Sequence, residues 1–192
     1  MFNKQIKPAL LVFATLTVIT GVLYPLLITV IAWIVFPHRA NGSIITRDAR
    51  PVVSSLIGQE FSDPKYFWGR PSATSLTGYN PLPSSGSNLG PLNPALRERV
   101  VMRVKMLQGA DPENRSLIPV DLVTASASGL DPHISVAGAL YQVPRVARVR
   151  GVSQDQIVAL VKENTTGRLA GVFGEPVVNV LQLNIALDQR AP

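Results

Sequence analysis

Between Lys7 and Arg39 the chain runs for 31 consecutive positions without a charged residue. Pro8 to Phe36, 29 residues within that run, are mostly apolar. As a helix rising 1.5 Å per residue they would extend about 43 Å, which exceeds the ~30 Å hydrocarbon core of a bilayer. A cleaved signal peptide has a shorter apolar region that ends in small residues, whereas this run ends in bulky ones. We therefore predict an uncleaved transmembrane helix over residues 8–36, preceded by a stub of residues 1–7.

Two features of the apolar run concern its packing. Pro25 lacks a backbone N–H and should bend the helix. Ala14, Thr17 and Gly21 fall on one side, and small residues with this spacing let a second helix approach closely. The alternative is a lipid-facing anchor whose small residues are incidental. We favour the packed helix, with Thr17 and Gly21 as candidate contacts with a partner.

Composition excludes several classes of protein. A free cytosolic enzyme of 192 residues has no place for so long an uncharged apolar run. The chain has no cysteine, so it is not a disulfide-stabilised miniprotein, a thiol enzyme or a cysteine-based zinc protein. Its two histidines, His38 and His133, are too few for a three-histidine metal site. The absence of cysteine suits an extracytoplasmic domain.

Residues 37–192 are predicted to form a single mixed α/β domain of the α+β class. Asn93 and Pro94 should cap and begin a helix, and the capping-box pattern at Ser153 and Gln156 should begin another. The other predicted elements are short strands and turns in 38–68, a strand over 120–126, a helix from Asp131-Pro132 to about Gln142, a turn or helix from Pro144 to Gly151, a strand over 168–173, and a helix rather than a strand over 176–188.

Residues 69–94 contain 17 Gly, Pro, Ser or Asn in 26 positions and one charged residue, Arg70. A segment of this length without regular structure is either functional or disordered. A disordered linker usually carries more charge. We therefore predict an ordered, turn-rich loop that packs on a surface.

The helix after Pro94 carries a basic cluster of four side chains. These are Arg97, Arg99, Arg103 and Lys105. Such a cluster suits nucleic acid or anionic lipid, but no aromatic residues interleave with the charges. We therefore favour a solvated helix face and predict no nucleic-acid partner.

Four residues near the middle of the chain suggest a hydrolase because they lie close together in the sequence. They are Ser126, Ser128, Asp131 and His133. No G-x-S-x-G motif is present, and Asp131 is better explained as a helix cap. Two functional classes remain open: an accessory subunit of a larger membrane complex, and a membrane-tethered hydrolase or binding module with an unfamiliar site.

Short blocks in a characteristic order extend over nearly the whole chain. They are 69–73 (GRPSA), 85–91 (SGSNLGP), 93–94 (NP), 119–126 (PVDLVTAS), 128–135 (SGLDPHIS), 142–147 (QVPRVA), 174–176 (GEP) and 178–181 (VNVL). Together with the anchor near the amino terminus, these blocks resemble the C subunits of Kdp-type potassium-transporting ATPases. Ser85 and Ala127 stand where glycine is common in that family, so only the local turn geometry departs from the pattern.

The resemblance implies a non-catalytic subunit of a bacterial inner-membrane pump that takes up K⁺ at the expense of ATP. Its partners would be a channel-like K⁺-binding subunit, a P-type ATPase subunit and a small one-helix subunit, besides the lipid bilayer. The resemblance also implies a cytoplasmic amino terminus and a periplasmic domain, an orientation that the nearly balanced flanking charges leave open.

Two roles follow from the resemblance. One is a catalytic chaperone that raises the ATP affinity of the ATPase subunit, with Gln142 as a nucleotide contact, so ATP is the one cofactor that the resemblance suggests. The other is assembly of the complex and a cap over the ion entrance, which we favour because a periplasmic domain lies across the bilayer from ATP. In that interpretation the loop 69–94 docks on the channel-like subunit through Arg70, Ser87 and Asn88. No catalytic residue and no metal ligand is predicted.

Overall fold

The computed structural model describes residues 2–47, 50–74 and 77–190. The chain divides into two compact units, unit 1 up to Ser54 and unit 2 from Ser55 onwards. Helices predominate and the strands are short. The predicted α+β class, with an apolar helix near the amino terminus that is long enough to span a membrane, is confirmed.

Unit 1 begins with a long apolar helix made of α1 (Phe2–Val18), a π-helical turn (Ile19–Leu23) and α2 (Tyr24–Val35). The part from Gln5 to Val35 is 31 residues long and apolar enough to cross a membrane. The Tyr24 N–H donates to the Ile19 carbonyl, five residues back. This widens the helix just before Pro25, whose ring would clash with a carbonyl in a regular α-helix. The disturbance expected at Pro25 is therefore a wide turn.

The rest of unit 1 is short. It consists of α3 (Pro37–Ala40) and an antiparallel hairpin of β1 (Ile44–Arg47) and β2 (Arg50–Ser54). A register shift between Ile45 and Thr46 interrupts the pairing. The Ser54 hydroxyl donates to the Gly42 carbonyl at 2.7 Å, which closes the open end of the hairpin. Of the short strands predicted in 38–68, this hairpin is the part that the structure contains.

Unit 2 is built on a small antiparallel sheet packed against helices. Its strands, in the order β3-β5-β4, are β3 (His133–Ser135), β5 (Val177–Asn179) and β4 (Thr165–Thr166). Its helices are α4 (Pro94–Ala110), α5 (Val136–Arg150), α6 (Gln154–Glu163) and α7 (Val180–Arg190), with a 3₁₀ turn at Val120–Leu122. The core is dominated by α5 and includes Phe67, Leu122, Ile134, Val146, Val178, Leu183 and Leu187.

Side-chain caps determine where two helices begin. The Asn93 side chain accepts a hydrogen bond from the Ala95 N–H, and Pro94 occupies the first turn of α4. Ser153 and Gln156 form the reciprocal capping box of α6. Both predicted starts are confirmed.

The helix predicted over 131–142 begins and ends later than expected. The Asp131 carboxylate accepts a hydrogen bond from the His133 N–H, which forms a turn, and residues 133–135 then pair with β5. Ser135 is the residue that caps α5. Pro144 starts no new element, because α5 continues through it.

Both strands predicted from apolar runs in unit 2 are wrong. At the start of 120–126 the chain forms a 3₁₀ turn, and the Thr124 hydroxyl bonds back to the Val120 carbonyl. Residues 168–173 form a tight turn with a single bridge. In 176–188 the favoured helix is confirmed from Val180 onwards, but Pro176 precedes a strand instead of occupying the first helical turn.

Candidate functional site

The two membrane candidates, Thr17 and Gly21, lie on the apolar helix of unit 1. Gly21 belongs to the π-helical turn, and a Cβ added there would meet no atom within 4 Å. The hydroxyls of Thr15, Thr20 and Thr29 donate to the carbonyls four residues back, so these polar groups are satisfied within the helix. The helix surface at Gly21 is therefore an open notch.

The described part of the loop, residues 69–74 and 77–94, is held by its own polar side chains. The Ser72 hydroxyl donates to the Gly129 carbonyl at 2.7 Å and accepts from the Tyr79 N–H at 2.9 Å. Burial raises the pKa of the Tyr79 hydroxyl to about 12. The loop thus contributes a buried aromatic side chain to its own packing.

Arg70 faces the body of unit 2. Its guanidinium donates to the carbonyls of Thr124 at 3.3 Å and Ala125 at 3.0 Å, and lies 3.5 Å from the Asp131 carboxylate. Burial alone would raise the pKa of Asp131, but hydrogen bonds from His133 and the charge of Arg70 hold it below its usual value. Arg70 therefore ties the loop to its base, and 25% of its side chain remains exposed.

Ser87 and Asn88 lie in the second half of the loop, where the backbone closely approaches residues 126–129. A Cβ on Gly86 would lie 2.8 Å from the Ala127 carbonyl oxygen, so no larger residue fits without a shift. Ser87 is half-buried, whereas Asn88 is exposed at a φ of 49°. Of the two predicted contacts, Asn88 is thus the more accessible.

Gln142 lies in the core, where 1% of the residue is exposed. Its Oε1 accepts from the Trp68 N–H at 2.8 Å, and its Nε2 donates to the Trp68 carbonyl at 3.1 Å. Asn184 makes the same pair of bonds with Phe67, at 2.9 and 3.0 Å. Each side-chain amide thus bonds to one backbone residue as a neighbouring strand would. We name Phe67, Trp68, Gln142 and Asn184 the amide clamp.

Arg145 adds a buried charge beside the amide clamp. Its guanidinium donates to Gln142 Oε1 at 2.7 Å, to the Tyr66 carbonyl at 3.0 Å and to the Pro64 carbonyl. It also stacks on Trp68, 4.3 Å from the ring centroid. Burial lowers the pKa of Arg145 to about 10. Among the described residues no carboxylate forms an ion pair with it, so carbonyl oxygens and a ring take the place of a counter-ion.

The prediction of a solvated basic face on α4 is partly wrong. Three of its members are exposed as expected: Arg97, Arg99 and Lys105. Arg103 instead turns inward and donates to the carbonyls of Gly69 at 2.7 Å and Leu122 at 3.0 Å. Burial lowers its pKa. This contact could not be predicted from the sequence, because the two carbonyls come from distant parts of the chain.

The residues that suggested a hydrolase do not assemble a nucleophile and base in the described part of the chain. Asp131 and His133 are 3.0 Å apart. The hydroxyls of Ser126 and Ser128, however, accept from nearby backbone N–H groups, and neither bonds to His133. The described residues also contain no group of three or more His, Asp or Glu side chains that could hold a metal ion.

A family model described as "KdpC: K⁺-transporting ATPase, c chain" matches residues 6–189. The potassium-transporting ATPase KdpC subunit of Dechloromonas aromatica is 61% identical over 183 residues, which cover 95% of this chain and 96% of that protein. The KdpC subunit of Sorangium cellulosum is 58% identical, covering 96% and 97% of the two chains. That of Herpetosiphon aurantiacus is 59% identical, covering 95% of each.

Proposed function

Because the chain belongs to the KdpC family of K⁺-transporting ATPase c chains, we propose that it is a non-catalytic accessory subunit of an ATP-driven potassium-uptake pump. Its role in this proposal is to assemble the complex and to cap the ion entrance. The observation that carries the proposal is the helix Gln5–Val35, 31 residues long with none of its apolar span buried. An apolar surface of that size must be covered by lipid or by partner helices.

We propose that the helix crosses a bacterial inner membrane once, with residues 1–7 in the cytoplasm and unit 2 in the periplasm. The absence of cysteine supports an extracytoplasmic unit 2. It also allows a direct test, because a Leu117→Cys variant has a single thiol at an exposed position outside the loop 69–94. In intact spheroplasts a membrane-impermeant maleimide should label it. Labelling that requires lysis would contradict this orientation.

The proposed partners are a channel-like K⁺-binding subunit, a P-type ATPase subunit and a small one-helix subunit. Thr17 and Gly21 would pack on a partner helix, because the notch at Gly21 admits a close approach. Asn88, with Ser87 beside it, would contact the channel-like subunit. Arg70 would act through the shape of the loop, since most of its side chain is engaged within unit 2.

Nucleotide contact at Gln142 stays a prediction, and in our proposal this residue instead maintains the fold of unit 2. Both ends of its amide are already bonded to Trp68. A nucleotide would have to displace those bonds and the one from Arg145. We therefore favour assembly and capping over a catalytic-chaperone role, and propose no cofactor for the isolated chain.

Purification from native membrane in mild detergent tests the proposal. Companion subunits together with K⁺-stimulated ATPase activity would support it. Hydrolytic activity of the chain without companions would overturn it in favour of a membrane-tethered hydrolase.

A second experiment tests the packing of the helix. Gly21→Leu should lower the yield of co-purified subunits, because the added side chain fills the notch. Val22→Leu, at the next position of the same π-helical turn, is the matched control and should assemble normally. Unchanged assembly of Gly21→Leu would refute the close packing at this position.

A further inference from the structure

Residues 168–175 of unit 2 form a short projection, which we name the finger. Its six central residues, 169–174 (LAGVFG), contain no charged or hydrogen-bonding side chain. Three of its side chains are large, apolar and mostly exposed: Leu169 (76%), Val172 (72%) and Phe173 (68%). Isolated exposed apolar residues are ordinary, but three on one tight turn form a patch that calls for a partner.

The finger has a defined backbone conformation because two of its residues pair with each other. Leu169 and Phe173 exchange both backbone hydrogen bonds, at 2.8 and 3.0 Å. Their side chains therefore lie on the same side of the turn. At its base Arg168 makes two bonds to the Glu175 carboxylate, at 3.0 and 2.9 Å. The two charges nearest the tip thus neutralise each other.

We propose that the finger inserts Leu169, Val172 and Phe173 into the interfacial region of the lipid bilayer, as a second membrane contact of this chain. This inference rests on the part of the proposed function that makes the helix Gln5–Val35 a membrane anchor. Residues 36–54 alone separate the end of that helix from unit 2. Even fully extended they would reach about 65 Å, so the anchor tethers unit 2 within that distance of the bilayer.

The small size of the finger favours lipid over a protein surface. A stable protein interface buries about 800 Å² and 20–30 residues on each side, which three side chains cannot supply. A tethered domain needs much less, because the anchor raises the effective concentration of the finger at the membrane. Leu, Val and Phe are also the kind of side chain that enters the boundary between headgroups and acyl chains.

Fluorescence quenching by a nitroxide-labelled lipid tests the inference. Because the chain has no cysteine, Val172→Cys can be labelled alone with an environment-sensitive dye in the full-length protein. Phe13→Cys, in the apolar helix, reports on the anchor. Leu117→Cys is the matched control, because Leu117 is also apolar and exposed (95%) in unit 2. Each variant is reconstituted in phosphatidylcholine vesicles that contain a lipid with a nitroxide near the headgroup.

We expect emission at positions 13 and 172 to be quenched and that at position 117 to be unaffected. Replacing Leu169 and Phe173 by Ser in the Val172→Cys variant should abolish its quenching. Because the finger is neutral, adding phosphatidylglycerol or salt should change the quenching at position 172 little.

Three results would overturn the inference. Quenching at position 13 but not at position 172 would refute the finger contact and leave the anchor intact. No quenching at either position would refute the anchor and the finger together. A dye at position 172 that responds only when partner subunits are co-reconstituted would identify a protein surface, instead of lipid, as the partner of the finger.

Discussion

Removing the Gln142 amide should destabilise unit 2 by at least about 2 kcal/mol. In Gln142→Leu the Trp68 N–H, the Trp68 carbonyl and one Arg145 N–H lose their partner. Each buried group left unsatisfied costs about 1–3 kcal/mol. The added apolar surface of leucine returns about 1 kcal/mol. Because the residue is 1% exposed, water cannot replace the lost bonds without opening the core.

Urea unfolding in detergent, followed by the fluorescence of Trp68, measures this change. The chain has two tryptophans, so a Trp33→Phe background isolates the signal from the amide clamp. With a urea m value of about 2 kcal/mol/M, the midpoint should fall by at least about 1 M. Gln182→Leu makes the same substitution on the exposed face of α7 and should change the free energy of unfolding by less than about 0.5 kcal/mol.

A loss below about 1 kcal/mol for Gln142→Leu would refute the reasoning, since it would mean that the bonds to Trp68 contribute little beyond a replaceable contact. The same variant separates the two roles of Gln142. If Gln142 is a structural residue, its substitution lowers the stability of unit 2, and lowers ATP affinity only if the complex loses the subunit. A nucleotide contact would instead lower the ATP affinity of an intact complex whose unit 2 unfolds at the wild-type midpoint.

Two further variants test the loop and its base. Gly86→Ala places a Cβ 2.8 Å from the Ala127 carbonyl oxygen and should lower the free energy of unfolding by about 1–3 kcal/mol. Gly90→Ala, where a Cβ meets nothing within 4 Å, is the control. Equal thermal midpoints for the two variants would contradict the close approach. The pKa of Asp131 lies below its usual value of 3.8. Its charge therefore stabilises unit 2 above that pH, and the stabilisation is lost as the pH falls through the folded-state pKa. Asp131→Asn, which retains an acceptor for the His133 N–H, should therefore lower the unfolding midpoint at neutral pH and approach the wild type in acid; a difference that persists in acid would rule out the charge as its cause.

Local chemistry explains which parts of the fold could be predicted from the sequence. The apolar helix is encoded by a continuous run of residues, and the caps at Asn93 and Ser153 involve partners two or three positions away. The strands β3 and β5 contain three residues each, too few for a two-residue period to be detected. Their pairing fixes where α5 begins, and so the helix start predicted at Asp131 was wrong.

The interior of unit 2 could not be predicted for a related reason. Gln142 and Trp68 are 74 positions apart, and Asn184 and Phe67 are 117 apart. No spacing rule connects such residues, because their contact depends on the packing of α5 and α7 around residues 66–68. Only the family resemblance singles out Gln142, and it suggests a nucleotide contact. The structure adds a competing explanation for the same glutamine, namely that its side-chain amide pairs with the Trp68 backbone as a neighbouring strand would.

The amide clamp also bears on the proposal that the nearly uncharged loop 69–94 docks on a partner. Its single charged residue, Arg70, is engaged with Asp131 and two carbonyls, so electrostatic attraction cannot guide it to a partner. Such a surface must gain affinity by being ordered before it binds. The hydrogen bonds of Gln142 and Asn184 fix the residues that lead into the loop, and Ser72 holds its first turn. If the loop docks on a partner, substitutions in the amide clamp should therefore weaken assembly even though none of its four residues reaches the surface.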